Sequence, residues 1–162
     1  MYSTLGTVIP PYAAAEMLKV REQCVLFIRE RLPRIVFPVG KKLTSRYSWL
    51  YIDKYRKFRM SKASTIASNV RLENEVNIFG LTDIAKEAAK DFTQGFQLAL
   101  EHNSKGGYLD MLSLARMLEI TPTTIRNWLH SEQAKPYVDL NPHKFRITPE
   151  NFLKVCPILL PS

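Results

Sequence analysis

The sequence predicts a mainly α-helical protein with small β-hairpin wings: two small domains of one design joined by a long helix. Three observations carry this. A block of sequence recurs at an offset of one hundred residues. The second copy holds two short helical patterns with clear start signals. Between the copies lies a longer apolar row with a four-residue spacing.

The repeat sets the domain organisation. Ala15-Glu16-Met17-Leu18-Lys19-Val20 recurs as Ala115-Arg116-Met117-Leu118-Glu119-Ile120, and Val25 matches Ile125. After a short gap, Pro33-Arg34-Ile35-Val36-Phe37 matches Pro136-Tyr137-Val138-Asp139-Leu140. Repeats decide the architecture, so they are read before local propensity. The expected units are residues 8–60, a linker and amphipathic connecting helix over 61–106, and residues 107–160.

In the first unit, Gly40-Lys41-Lys42 makes a basic turn, and Tyr47, Trp49 and Tyr51 alternate as on one face of a strand. Ile52, Tyr55 and Phe58 then give a helical pattern. The middle segment starts polar, and Thr82 is a plausible helix N-cap. From there Ile84, Ala88, Phe92, Phe96 and Leu100 form one row, ending before Gly106-Gly107. Gly95 weakens such a helix by about 1 kcal/mol relative to Ala. The helix has two readings: it completes the core, or it acts as a spacer or homodimer contact. In the second unit, Leu114, Ala115 and Leu118 give a first short helix a buried face. Thr121 caps a second, with Pro122 at its first position. Ile125, Trp128 and Leu129 form its apolar stripe. Asn141-Pro142-His143-Lys144 turns a hairpin, and Thr148-Pro149 starts a last helix. Helix, turn, helix, two strands and helix is a winged helix-turn-helix in outline, so the fold expected is a tandem of two such domains.

The same residues carry a resemblance. Leu114 to Leu129, the strand pair and Ile147-Thr148-Pro149-Glu150-Asn151-Phe152 resemble the excisionase and MerR-type helix-turn-helix superfamily. Thr121-Pro122-Thr123-Thr124-Ile125-Arg126 is similar to the start of that family's recognition helix. The first unit resembles phage excisionase and Cox-type regulators more loosely, through Ala14 to Leu18, the Leu32-Pro33 exit and a Trp49-Leu50-Tyr51 strand. The resemblance implies a regulator from a phage, plasmid or other mobile element. Such proteins repress or activate promoters, or bend DNA to direct recombination.

Composition agrees with a nucleic-acid partner without selecting it. The 162 residues are 46% hydrophobic and carry 23 basic against 15 acidic residues, a formal charge of +8. Residues 1–62 hold 13 Lys and Arg against 4 Asp and Glu. A polyanion would feel that part most. The longest apolar run, Cys24 to Ile28, is too short to cross a membrane. No secretory signal is visible, and two cysteines form no disulfide framework, so a reducing, cytoplasmic setting is expected.

The DNA contacts follow from side-chain chemistry. Arg126 and Asn127 suit guanine and adenine edges; Thr123 and Thr124 suit phosphate oxygens or a thymine methyl. Lys41, Lys42, His143 and Lys144 in the wings suit phosphates or the minor groove. In the first unit Arg21 and Gln23 are the polar candidates. Leu26 and Phe27 stand there in place of Arg126 and Asn127. Either that helix is rotated or it does something else, such as pairing with a second protomer. The expected partner is double-stranded DNA at two half-sites. The alternative is a protein-binding adaptor or assembly factor on the same scaffold. A single-strand binder would expose its aromatic residues instead. His102, His130 and His143 have no metal spacing, and there is no Gly-rich phosphate loop or nucleophile motif. No enzyme activity, cofactor, metal or small-molecule substrate is expected.

Overall fold

Consecutive prolines set the entry to the first unit. Pro10 is extended and Pro11 occupies the first helical position, where a missing N–H costs nothing. The computed structural model describes residues 2–61, 69–141 and 144–161. A short helix α1 (Tyr2–Leu5) leads to β1 (Val8–Ile9), α2 (Pro11–Leu18) and α3 (Glu22–Phe27). A 3-10 turn (Arg29–Arg31) precedes the hairpin β2 (Arg34–Val39) and β3 (Lys42–Ser48), then α4 (Trp49–Ser61). Next come α5 (Asn69–Gly80) and α6 (Asp83–Asn103). The second series is β4 (Leu109–Asp110), α7 (Met111–Leu118), α8 (Pro122–Leu129), a 3-10 turn (Lys135–Tyr137), β5 (Val138–Asn141), β6 (Lys144–Ile147) and α9 (Pro149–Val155). The strand β7 (Ile158–Leu159) follows. Most described residues are helical, with small antiparallel sheets.

The order strand, helix, helix, 3-10 turn, hairpin, helix thus occurs twice, and its backbone detail recurs too. Lys19 and Glu119 end α2 and α7 in the left-handed region, with φ of 57° and 51°. They are the described non-glycine residues with positive φ. One residue later, Val20 N–H donates to Ala15 O at 3.0 Å and Ile120 N–H donates to Ala115 O at 3.1 Å. Such a turn satisfies carbonyls left open at a helix end.

Two sheets result. One has the order β1-β3-β2-β7, the other β4-β6-β5. In the first, Ile35 lies opposite Arg46 and Phe37 opposite Thr44, while Arg34 lies opposite Tyr47. Residues directly opposite share a face. Tyr47 faces a core built from α2, α3, α4 and α5, including Leu18, Val25, Ile52 and Phe79. Ile35 and Phe37 face the other core, with Leu114, Ile125, Trp128 and Phe152. The first sheet is therefore buried on both sides, between the two units. β7 pairs with β2 through Ile158 opposite Ile35, so the end of the second series completes the sheet of the first.

Helix α6 belongs to both cores. Ala85 and Ala88 pack into the first; Phe92, Phe96 and Leu100 pack into the second. Of its two readings from sequence, core completion is the role these contacts describe. Thr82 caps it, accepting from Ala85 N–H at 3.1 Å. Ile84 does not join the buried row and is 58% exposed. A four-residue spacing advances about 40° per step on a 3.6-residue helix, so its first member has rotated off the face set by Phe96 and Leu100. Gly95 has a packing role: a Cβ there would lie 2.6 Å from Leu5 Cβ and 2.8 Å from Gly6 N. Helix α1 crosses α6 at this point, backbone against backbone.

Two further elements differ from expectation. Trp49 and Tyr51 lie in helix α4, not on a strand. Ser48 Oγ accepts from Tyr51 N–H at 3.1 Å and starts that helix, which buries Tyr51 and Tyr55 four residues apart. Helix α5 replaces part of the expected linker, burying Leu72, Val76 and Phe79 on one stripe. No helix among the described residues is long and apolar enough to cross a membrane.

Candidate nucleic-acid interface

The second unit's paired helices are set by local chemistry. Asp110 starts α7 by accepting from Ser113 N–H at 2.8 Å. That backbone hydrogen bond holds the Asp110 carboxyl below its usual range, against the opposing effect of burial. Thr121 starts α8, accepting from Thr124 N–H at 3.3 Å, and its hydroxyl also bonds the Thr124 hydroxyl at 2.7 Å. Ile125, Trp128 and Leu129 are buried. The opposite face leaves Thr123, Arg126, Asn127 and His130 exposed, with Thr124 half-buried and engaged in the cap.

The first unit's hairpin braces this helix pair. Phe37 packs on Trp128 with ring centroids 4.8 Å apart, and Phe152 meets the same indole edge-on at 5.9 Å. Arg46, 8% exposed, donates from Nε to Leu118 O at 2.6 Å and from Nη2 to Glu119 O at 3.2 Å. A cation thus sits on the carbonyl end of α7, where the helix dipole favours it. Burial pushes the Arg46 guanidinium below its usual value, and the nearby Glu119 opposes that.

Beyond this packed base the hairpin tip is open. Gly40 has φ of 63° and Lys41 does not, the pattern of a type II′ turn with glycine first. Lys41 and Lys42 are exposed there. A groove of about 260 Å³ separates the tip from α8, with Val39 and Gly40 on one side and Thr124 and Asn127 on the other. The structure therefore places the hairpin turn at Val39 and Gly40 across this groove from Thr124 and Asn127 of α8.

The other predicted residues fall elsewhere or outside the description. Lys144 opens β6 opposite Asn141, while His143 lies outside the described residues. Arg21 and Gln23 are exposed at the start of α3. That helix is not rotated relative to α8. Cys24, Val25 and Ile28 are buried, one hundred residues from Thr124, Ile125 and Trp128. Leu26 and Phe27, 38% and 65% exposed, hold the outward positions that Arg126 and Asn127 hold in α8.

Sequence reading missed Arg46 and Phe37 as supports of α8. One signal was available. Ile35-Val36-Phe37 is a continuous apolar run, as expected of a strand buried on both faces. No group of three or more His, Cys, Asp or Glu that could hold a metal occurs among the described residues. Comparison with protein-family models, with curated proteins and with solved structures gives no match.

Proposed function

We propose that the chain is a sequence-specific double-stranded DNA-binding protein built from two winged helix-turn-helix units, with α8 as its reading helix. The observation that carries this reading is the exposed face of α8, with Thr123, Arg126 and Asn127, and the hairpin turn at Gly40, which carries the exposed Lys41 and Lys42, across a groove from Asn127. Arg126 and Asn127 offer the donors and acceptors that base edges require. The hairpin lysines supply salt-dependent phosphate contacts. The outward Leu26 and Phe27 give α3 no such chemistry. One chain then reads one half-site, and paired half-sites are met by two chains. The output is regulation of a promoter or of recombination in a mobile element, as the family resemblance implies.

A second reading has its own support. The exposed Leu26 and Phe27 favour a protein-binding adaptor in which α3 meets a partner. Selection from a random duplex library at near-physiological salt separates the two. Enrichment of a defined half-site supports DNA reading. Arg126→Ala is then expected to cost about 1–3 kcal/mol and relax one base position. Lys41→Ala with Lys42→Ala is expected to weaken all sequences and lower the salt slope by about 2. No enrichment, with binding lost on adding salt, sinks the reading in favour of the adaptor.

A further inference from the structure

Away from α8, a groove of about 800 Å³ is walled by α5, α6 and Leu160–Pro161. That volume falls in the range of small-molecule sites. Three features define its chemistry. Val76, Leu81 and Leu160 give it apolar walls. Arg31, Lys86 and Lys90 line it, and no carboxylate is among the described lining residues. Lys86 and Lys90 are four residues apart on α6 and so share one face. Arg31 stands 3.7 Å from Glu73, both partly exposed, so one of the three cations is paired and two remain on the α6 side.

The third feature is Tyr51, which also lines the groove and is 1% exposed. Its hydroxyl has no hydrogen-bond partner. It lies beside Gly80, another lining residue; a Cβ at Gly80 would be 3.8 Å from it. Buried hydroxyls are nearly always bonded, so an unpartnered one at a groove marks a place for an acceptor. Burial pushes the Tyr51 hydroxyl up to about 12, so it keeps its proton at neutral pH and can donate.

We propose that this groove binds a small amphiphilic carboxylate, with the apolar body against Val76, Leu81 and Leu160 and the anionic head toward Lys86, Lys90 and the Tyr51 hydroxyl. The site is remote from the α8 surface in residue composition, and the inference does not depend on DNA binding.

The test is calorimetric titration of the full chain with decanoate, and with decanamide as its uncharged counterpart. Saturable one-to-one binding of decanoate is expected, with decanamide at least about tenfold weaker, because the paired lysines act on charge alone. Lys86→Glu with Lys90→Glu, both exposed positions, is expected to weaken decanoate by more than about tenfold. Tyr51→Phe is expected to weaken it about tenfold, the loss of one hydrogen bond to a charged group. Circular dichroism and a urea melt check that each variant is folded. Three results overturn the proposal: no saturable decanoate binding by about 1 mM, equal affinity for decanamide, or indifference to the lysine pair.

Discussion

Arg46 offers a sharp test of how the first unit supports the second. Arg46→Met keeps the apolar stem and removes the guanidinium. Two carbonyls at the end of α7, Leu118 O and Glu119 O, then lose donors at 2.6 and 3.2 Å. Hydrogen bonds from a charged group contribute about 1.5–3 kcal/mol each, and a cation at a helix C-terminus about 0.3–1 kcal/mol. The longer bond counts for less, and water partly replaces it, so a net loss of about 3 kcal/mol is expected. For a chain of this size that corresponds to a fall in Tm of about 6–12 °C. Urea unfolding followed by circular dichroism measures it, with an unchanged m-value showing that the unfolded state is the same. Arg46→Lys is the informative companion: it keeps the charge but cannot direct two planar donors to two carbonyls, so it should lose about half as much. A loss under about 1 kcal/mol for Arg46→Met, or a Lys variant as stable as the parent, would falsify the idea that this fork holds the turn.

Two other outcomes follow from the packing and the caps. Gly95→Ala should destabilise by about 1–2 kcal/mol, because the new methyl meets the α1 backbone and overpacking outweighs the propensity gain of about 1 kcal/mol; a stabilised variant in urea melts contradicts the close crossing. Asp110 has a lowered carboxyl pKa in the folded chain, so its stabilisation is present above the unfolded value near 3.8 and is lost as pH falls through the folded value. Asp110→Asn should therefore retain the cap at pH 7 while flattening the acid limb of a stability–pH curve, and Asp110→Ala should lose about 1 kcal/mol at pH 7.

Much of the second unit was legible because its signals are local. Thr121 and Pro122 announce α8, and Ile125, Trp128 and Leu129 repeat at helical spacing. Thr148 and Pro149 do the same for α9, where Thr148 Oγ1 accepts from Asn151 N–H at 3.1 Å. Helix α5 was hidden because its stripe, Leu72, Val76 and Phe79, is interrupted by Asn and Glu and follows a polar stretch without a clear start signal. Trp49 and Tyr51 misled because, with Tyr47, they fit the alternation of a strand, so the helix read from Ile52, Tyr55 and Phe58 was started too late and the spacing of four from Tyr51 to Tyr55 was passed over. The candidate surface divided in the same way. The exposure of Arg126 and Asn127 follows from their own helix. The placing of the hairpin turn across a groove from that helix goes with the contacts of Phe37 and Arg46 with residues more than seventy positions away. No local pattern encodes such a pairing.

The pairing of β7 with β2 bears on the order in which the chain is made. Synthesis produces β2 and β3 well before residues 158 and 159. Until those arrive, β2 presents an open strand edge at Arg34 and Ile35, and the face carrying Ile35 and Phe37 is also uncovered. Unpaired apolar edges are templates for aggregation. The late strand is thus a guard for an early one, and the first hairpin is safest when the rest of the chain follows it without delay.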